Sequence, residues 1–302
     1  MKELTALSKR SNLMTRILVV ASLVVVAAFT GFSLYIDSLQ RGVLTRAVEE
    51  NIASSGKQAA QSIANWLNAR VTLTEMAADA AGKASDAAGI EAVLKNDVLV
   101  GEFMTTYVGD EAGTFTMWPQ SAMPEGYDPR QRPWYQGAVK ADGSVLTEPY
   151  IDASSNDLII SSAVPVKRDG KLFGVAGSDF SLKSLVDMIT SVDLGGQGFA
   201  FLVNKQGQIL VHQDKGLVTK TLGDAFPAET PAIGSGIAHT TYDGKPVLVS
   251  FVPVKGLPSV EWYLGFTIDS GMAYSAIVKP RYHSTEGRPV TGTKETSTGL
   301  PS

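Results

Sequence analysis

The hydrophobic pattern changes character three times along the chain. From Ile17 to Ile36 the sequence reads ILVVASLVVVAAFTGFSLYI, twenty residues without a charge. At 1.5 Å per residue such a helix spans about 30 Å, the thickness of a bilayer's hydrocarbon core. A membrane-spanning helix is therefore predicted over 17–36. Lys2, Lys9, Arg10 and Arg16 precede this run and Asp37 follows it. That excess of positive charge places residues 1–16 in the cytoplasm and the chain after Asp37 outside. A cleaved signal peptide, with Ala27-Ala28 as a weak processing site, is the alternative; its apolar region is usually only about 7–15 residues, so the length favours a retained anchor.

Beyond the span, Gln40 to about Ala88 is rich in Ala, Glu, Gln, Leu and Lys and contains no proline. Val48, Ile52, Ala59, Ile63, Leu67, Val71 and Leu73 recur mostly at intervals of three or four, the period of one helix face. The Ala content supports a helix. A rod of some 45 residues is about 65–70 Å long, too long to sit inside a compact core. It is expected over 37–89, packed along the side of a two-storey structure and against a second copy of itself. Two shorter helices broken near Gly82 or Gly89 are the alternative.

After residue 90 the pattern becomes one of short strands and turns. Val108-Gly-Asp-Glu-Ala-Gly113-Thr-Phe has strand–turn–strand character, and Val203-Asn-Lys-Gln-Gly207-Gln-Ile-Leu repeats it 94 positions later. Ala163-Val-Pro-Val-Lys167 recurs as Phe251-Val-Pro-Val-Lys255, 88 positions later. Each is followed by a turn (Asp169-Gly170; Gly256-Leu257-Pro258) and by a strand ending in an acid, Asp179 in one and Asp269 in the other. Two αβ units of about 90 residues fit the length. Ser181–Val192, amphipathic through Leu182, Leu185, Val186 and Ile189, would link them. Antiparallel sheets flanked by helices place the chain in the α+β class.

The two units differ in one place. The first carries Tyr127-Asp-Pro-Arg-Gln-Arg132-Pro-Trp134-Tyr135, then Glu148-Pro-Tyr150, and finally Asp179; the second has no Arg-Pro-Trp-Tyr segment. A guanidinium offers a planar fork of donors to a carboxylate. Pro133 biases Arg132 toward extended geometry. Trp134 and the tyrosines combine apolar walls with N–H or O–H handles, and Asp179 supplies a negative charge. One cation, one anion and four amphipathic aromatics suit a small zwitterion. The bland alternatives are loop packing for the Arg-Pro-Trp-Tyr string, half-buried aromatics for Tyr127 and Tyr150, and a helix cap for Asp179.

Composition narrows the function. The 302 residues hold 26 Lys and Arg against 30 Asp and Glu, a net charge of −4, which argues against a nucleic-acid partner. The absence of Cys excludes disulfides, thiol nucleophiles and Cys-bound metals. His212, His239 and His283 lack metal-ligand spacing, and no nucleophile elbow, P-loop or dinucleotide fingerprint is present. Gly195-Gly-Gln-Gly198 reads as a loop before a Phe199–Val203 strand. Neither an enzyme nor a cofactor or metal is expected.

Anchor, long helix and two stacked PAS-like units together resemble the double Cache sensor domain of bacterial methyl-accepting chemotaxis receptors, from about Asp37 to Tyr274. Tyr127, Arg132, Trp134, Tyr135, Tyr150 and Asp179 resemble, in residue type and spacing (5, 2, 1, 15 and 29), the amino-acid-recognition motif of one double Cache subfamily. The resemblance implies a membrane-distal Cache module at 90–180 that binds a small L-amino acid and a membrane-proximal one at 181–278. It also implies a homodimer in the bacterial inner membrane, with the sensor in the periplasm or extracellular space. Tyr127, Arg132 and Trp134 would hold the ligand's carboxylate; Tyr135, Tyr150 and Asp179 would face its ammonium. Residues within Val108–Met117 and Ile151–Asn156 are candidates for reading the ligand's side chain. The alternatives are the same fold sensing an organic acid, amine or purine for a kinase or cyclase partner, and an anchored binding protein that does not signal. At the end of the chain, Gly271–Val278 starts a helix, and Lys279-Pro280-Arg281 follows. Thirteen of the last twenty residues are Ser, Thr, Gly or Pro, so 279–302 reads as disordered. The expectation is of a receptor cut short before its signalling region.

Overall fold

The computed structural model describes residues 2–273 apart from 193, 195–197 and 235; over 2–16, 37–49 and 51–52 it describes the helical backbone alone. The predicted tail and most of the predicted Gly195–Gly198 loop lie outside the described residues, and the predicted helix at Gly271 is described only as a helical turn over 270–273.

One uninterrupted helix, α1 (Lys2–Lys83), joins the apolar span to the stalk; its 82 residues reach about 120 Å. Ile17–Ile36 is the one stretch among the described residues long and apolar enough to cross a membrane. Farther along, Ala60, Ile63, Ala64, Leu67, Val71, Ala77, Ala78 and Ala81 are buried. That stripe at helical spacing lies against the backs of two sheets. The stalk stops six residues short of the expected 89. Lys83 ends α1, and Asp86 opens α2 (Ala87–Leu94) by accepting a hydrogen bond from Gly89 N at 2.8 Å. The short polar side chain competes for the backbone and starts a new helix with its own direction.

The first sheet follows the short helix α3 (Asp97–Glu102). It contains β1 (Thr105–Asp110), β2 (Phe115–Trp118), β3 (Val145–Leu146), β4 (Tyr150–Ile151), β5 (Leu158–Arg168) and β6 (Lys171–Ser181), in the order β2-β1-β6-β5-β3, with β4 on β5. Between β2 and β3 lie a 3-10 turn (Pro129–Gln131) and α4 (Pro133–Ala141). After α5 (Leu182–Thr190) comes the second sheet, made of β7 (Gly198–Asn204), β8 (Ile209–Val211), β9 (Ile237–Tyr242), β10 (Lys245–Val254) and β11 (Trp262–Asp269). Its order is β8-β7-β11-β10-β9, the same path through the same antiparallel pairings. One core joins both to α1, with Ile160 and Phe180 from the first sheet and Val252 and Phe266 from the second.

The registers prove the repeat residue by residue. Gly177 lies opposite Tyr107 and Ala163, and Gly265 opposite Phe201 and Phe251. These pairings reproduce the expected offsets of 94 and 88. Both glycines are there for the ring across the sheet: a Cβ would stand 2.1 Å from Tyr107 in one and 2.4 Å from Phe201 in the other. The same registers correct one expectation. The counterpart of Asp179 is Thr267; each sits between its neighbours at the same step, Thr105 and Ser161 for the aspartate, Phe199 and Val249 for the threonine. Asp269 instead matches Ser181. Both are helix caps, Ser181 accepting from Ser184 N at 3.1 Å and Asp269 from Met272 N at 2.9 Å. Two strand-end acids look alike in sequence, but only one is a cap.

Candidate functional site

Arg132 and Pro133 set the front of the site. Arg132 is extended (φ −84°, ψ 149°), as the following proline requires. Pro133 then opens α4 at its first position, where a missing N–H costs nothing. The two arginines of the Arg-Gln-Arg string part company. Arg130 is spent locally, its Nε and Nη2 each 2.9 Å from an oxygen of Asp128 and its Nη1 3.1 Å from the Glu111 carbonyl. That fork holds the Asp128 carboxyl down at about 2. Arg132 makes no ion pair among the described residues; its Nη2 donates to the Ile151 carbonyl at 2.8 Å and its guanidinium carbon stands 5.4 Å from the centre of the Tyr150 ring.

Asp179 forms the back. It is 5% exposed on β6, and the capping role that it could have had belongs to Ser181. Its Oδ1 accepts from the Tyr107 hydroxyl at 2.6 Å and from Ser161 Oγ at 2.5 Å. Ser161 Oγ in turn lies 2.6 Å from the Tyr150 hydroxyl. Burial pushes the Asp179 carboxyl up to about 7, against the pull of its two hydroxyl donors; Asp152 adds to the rise and Arg132 opposes it. Burial and the nearby Asp179 charge likewise drive the Tyr107 and Tyr150 hydroxyls well above their ordinary value. Tyr127 reaches about 12, mainly through burial, with Arg132 and a hydrogen bond from Trp134 opposing.

Arg132 and Asp179 line one cavity with Tyr127, Trp134 and Tyr150. Five of the six expected site residues are thus together. The walls are a ring cluster, with Tyr107 and Trp134 centred 4.7 Å apart and Phe115 and Tyr127 5.0 Å apart. The sixth, Tyr135, is buried but turned away: its ring meets Trp134 at 5.6 Å, and the charges that act on its hydroxyl are Glu111, Arg130, Asp110 and Asp128. Successive helix residues point about 100° apart, so Trp134 and Tyr135 cannot face one cavity from α4.

Sequence reading missed Tyr107, Ser161, Thr105 and Met123. Asp152, Ser154, Phe115 and Met117, which also line the cavity, fall inside the two windows flagged for ligand side-chain recognition. Asp152 bends its loop by accepting, through Oδ2, from Ser154 N, Ser154 Oγ and Ser155 N at 3.1, 2.6 and 2.7 Å. The cavity holds a volume of only about 10 Å³, about one water molecule. Anything larger must part its walls and compete with the Ile151 carbonyl for Arg132. What the arrangement offers such a guest is donors at one end, a buried carboxylate at the other, and rings between. Among the described residues no group of three or more His, Asp or Glu is placed to hold a metal ion.

The Cache domain family model matches residues 38–277. Over 266 residues the chain is 41% identical to the methyl-accepting chemotaxis protein PctB of Pseudomonas aeruginosa, covering 88% of this chain and 42% of PctB. It is also 41% identical over 262 residues to McpG of Pseudomonas putida, covering 87% and 41%. The chain spans about two fifths of the length of these curated relatives. Among solved structures it is similar to the ligand-binding domain of the Pseudomonas fluorescens chemoreceptor CtaA in complex with L-isoleucine, with a TM-score of 0.75 and 42% identity over 78% of this chain and 98% of that one. It is likewise similar to the ligand-binding domain of PctB in complex with L-Arg, with a TM-score of 0.74 and 40% identity over 76% and 98%. With well over half its length matched, this chain belongs to the Cache domain family, in the two-module form seen in amino-acid chemoreceptors.

Proposed function

We propose that this chain is the sensor part of a membrane-anchored chemoreceptor and that its first module binds a small L-amino acid by the backbone groups common to all of them. The observation that carries this reading is the shared cavity, where a guanidinium and a buried carboxylate face one space without pairing with each other. Arg132 gives its fork to the ligand's carboxylate, helped by Tyr127 and Trp134. Asp179 and the Tyr150 hydroxyl take the ammonium, with Asp152 adding negative charge beside them. Tyr135 supports Trp134 from behind. Micromolar affinity needs about −8 kcal/mol. Hydrogen bonds to charged groups contribute about 1.5–3 kcal/mol each, so contacts at both ends suffice.

Ile17–Ile36 anchors the chain, with residues 1–16 in the cytoplasm of a bacterial inner membrane and the modules in the periplasm or extracellular space, paired as a homodimer along α1. Helix α1 meets the second module first, around Gly56 against Phe266 and Val252, and the first module later, around Gly82 against Lys167. The binding module is therefore the outer one. Titration calorimetry of the full chain in lipid nanodiscs against individual L-amino acids tests the reading. At least one should bind at micromolar concentration and lose that binding in Asp179→Ala. Silence across the set, with a response to polyamines or dicarboxylates instead, would refute it.

A further inference from the structure

The second module carries a cavity on the face that matches the binding face of the first. Phe199 and Thr267, the register counterparts of Thr105 and Asp179, both line it, with Gln213, Tyr242, Val247 and Met272. Its volume is about 340 Å³, within the range of small-molecule sites. Thr267 is 2% exposed, and its Oγ1 has no hydrogen-bond partner. The registers explain why: its neighbours across β11 are Phe199 and Val249, whose side chains offer it neither donor nor acceptor. The cavity's aromatic wall is formed by Phe199 and Tyr242, centred 4.9 Å apart. Formal charge in the lining lies on Asp243, Lys245 and Asp269; Asp243 and Lys245 are exposed, and the half-buried Asp269 already accepts from Met272 N.

We infer that the second module holds a second ligand site, for a small uncharged ring compound whose hydroxyl, amide or ring N–H completes the hydrogen bonding of Thr267. The charge at the centre of the first site is absent here, together with the donors that made it tolerable: Asp179, Tyr107 and Ser161 are replaced by Thr267, Phe201 and Val249. The side chains that flank Thr267 across the sheet, Phe199 and Val249, offer a charged ligand head no partner there, and an unpaired buried charge is costly. A neutral ring with one polar group instead fills the aromatic walls and satisfies the lone hydroxyl. This inference stands apart from the amino-acid reading, because it concerns other residues and another chemistry.

The test uses the full chain in nanodiscs carrying Asp179→Asn, so that the first site is disabled. Saturation-transfer NMR and calorimetry are run with indole, phenol and benzamide, and with benzoate and benzylamine as charged counterparts. At least one neutral compound is expected to bind, about tenfold or more tighter than the charged pair. Thr267→Val, which keeps the shape and removes the hydroxyl, should weaken it by about tenfold, while Thr267→Ser should retain it. Absence of binding by all three neutral compounds overturns the inference. So does equal affinity in Thr267→Val, or tighter binding of a charged counterpart.

Discussion

Ligand binding at the first module should release a proton from Asp179. In the unliganded protein this carboxyl is buried and titrates at about 7. It can pair with a ligand's ammonium only when ionised. About nine tenths of the molecules are competent at pH 8 and about one tenth at pH 6, so the apparent dissociation constant should rise about tenfold between them, and tenfold again per pH unit below that. No other group facing the site interferes in this window. Tyr107, Tyr127 and Tyr150 are shifted upward, and Asp152 is held below the usual carboxylate range despite its burial by its Ser154 and Ser155 donors. The ligand's own carboxylate and ammonium stay ionised throughout. Calorimetry in buffers of different ionisation enthalpy should find about 0.9 proton released at pH 6 and about 0.1 at pH 8. The same shift acts on folding with the opposite dependence. Because the folded state holds this proton more tightly than the unfolded one, the unliganded protein should lose stability as pH rises from 4 to 7, by a total on the order of 4 kcal/mol. Affinity that is flat from pH 6 to 8, with no buffer dependence, would refute a buried, protonated Asp179.

Three substitutions probe the rest of the first module. Arg132→Ala should weaken amino-acid binding by about 2–5 kcal/mol, roughly 30- to 5,000-fold by calorimetry, because a desolvated carboxylate is left unpaired. Tyr135→Phe should leave affinity within about threefold, since its hydroxyl points to the Asp128–Arg130 side and its ring support is kept. Gly177→Ala should lower stability in urea denaturation by about 1–3 kcal/mol, because the new methyl overlaps the Tyr107 ring; displacing that ring also takes a hydrogen bond from Asp179.

Much of this was legible in the sequence because the signals were local or periodic. The charge-free run 17–36 and the Ile63, Leu67, Val71 stripe are read off directly, and Pro133 announces the extended Arg132. Tyr107 was not legible. It earns its place only by lying over Gly177 on a strand seventy residues away, and nothing near it in sequence marks that pairing. Asp152 was legible only as one member of the window 151–156: an Asp before two serines reads as a turn, which it is, and nothing in the sequence singles it out from its neighbours as a carboxylate that also faces the cavity. Tyr135 was over-read. The resemblance set it beside the ligand's ammonium, but α4 turns it away from the cavity that Trp134 lines.

The register equivalence also says how such a pair of modules diverges. A buried carboxylate and its hydroxyl donors form one unit, since the acid without donors is an unpaired buried charge and the donors without the acid are unpaired hydroxyls. Thr267→Asp alone would place a carboxylate between Phe199 and Val249. At pH 8 that should destabilise the chain by about 3–5 kcal/mol. Adding Phe201→Tyr and Val249→Ser rebuilds the donor set over Gly265, which already makes room for a ring at 201. Because each hydrogen bond to a charged group is worth about 1.5–3 kcal/mol, the triple variant should recover at least about 2 kcal/mol of the loss. The two added substitutions alone, made without the aspartate, should be neutral or destabilising. Urea denaturation of the three variants measures the coupling. Strict additivity would mean that the Tyr107–Ser161–Asp179 cluster is three separate residues rather than one electrostatic device.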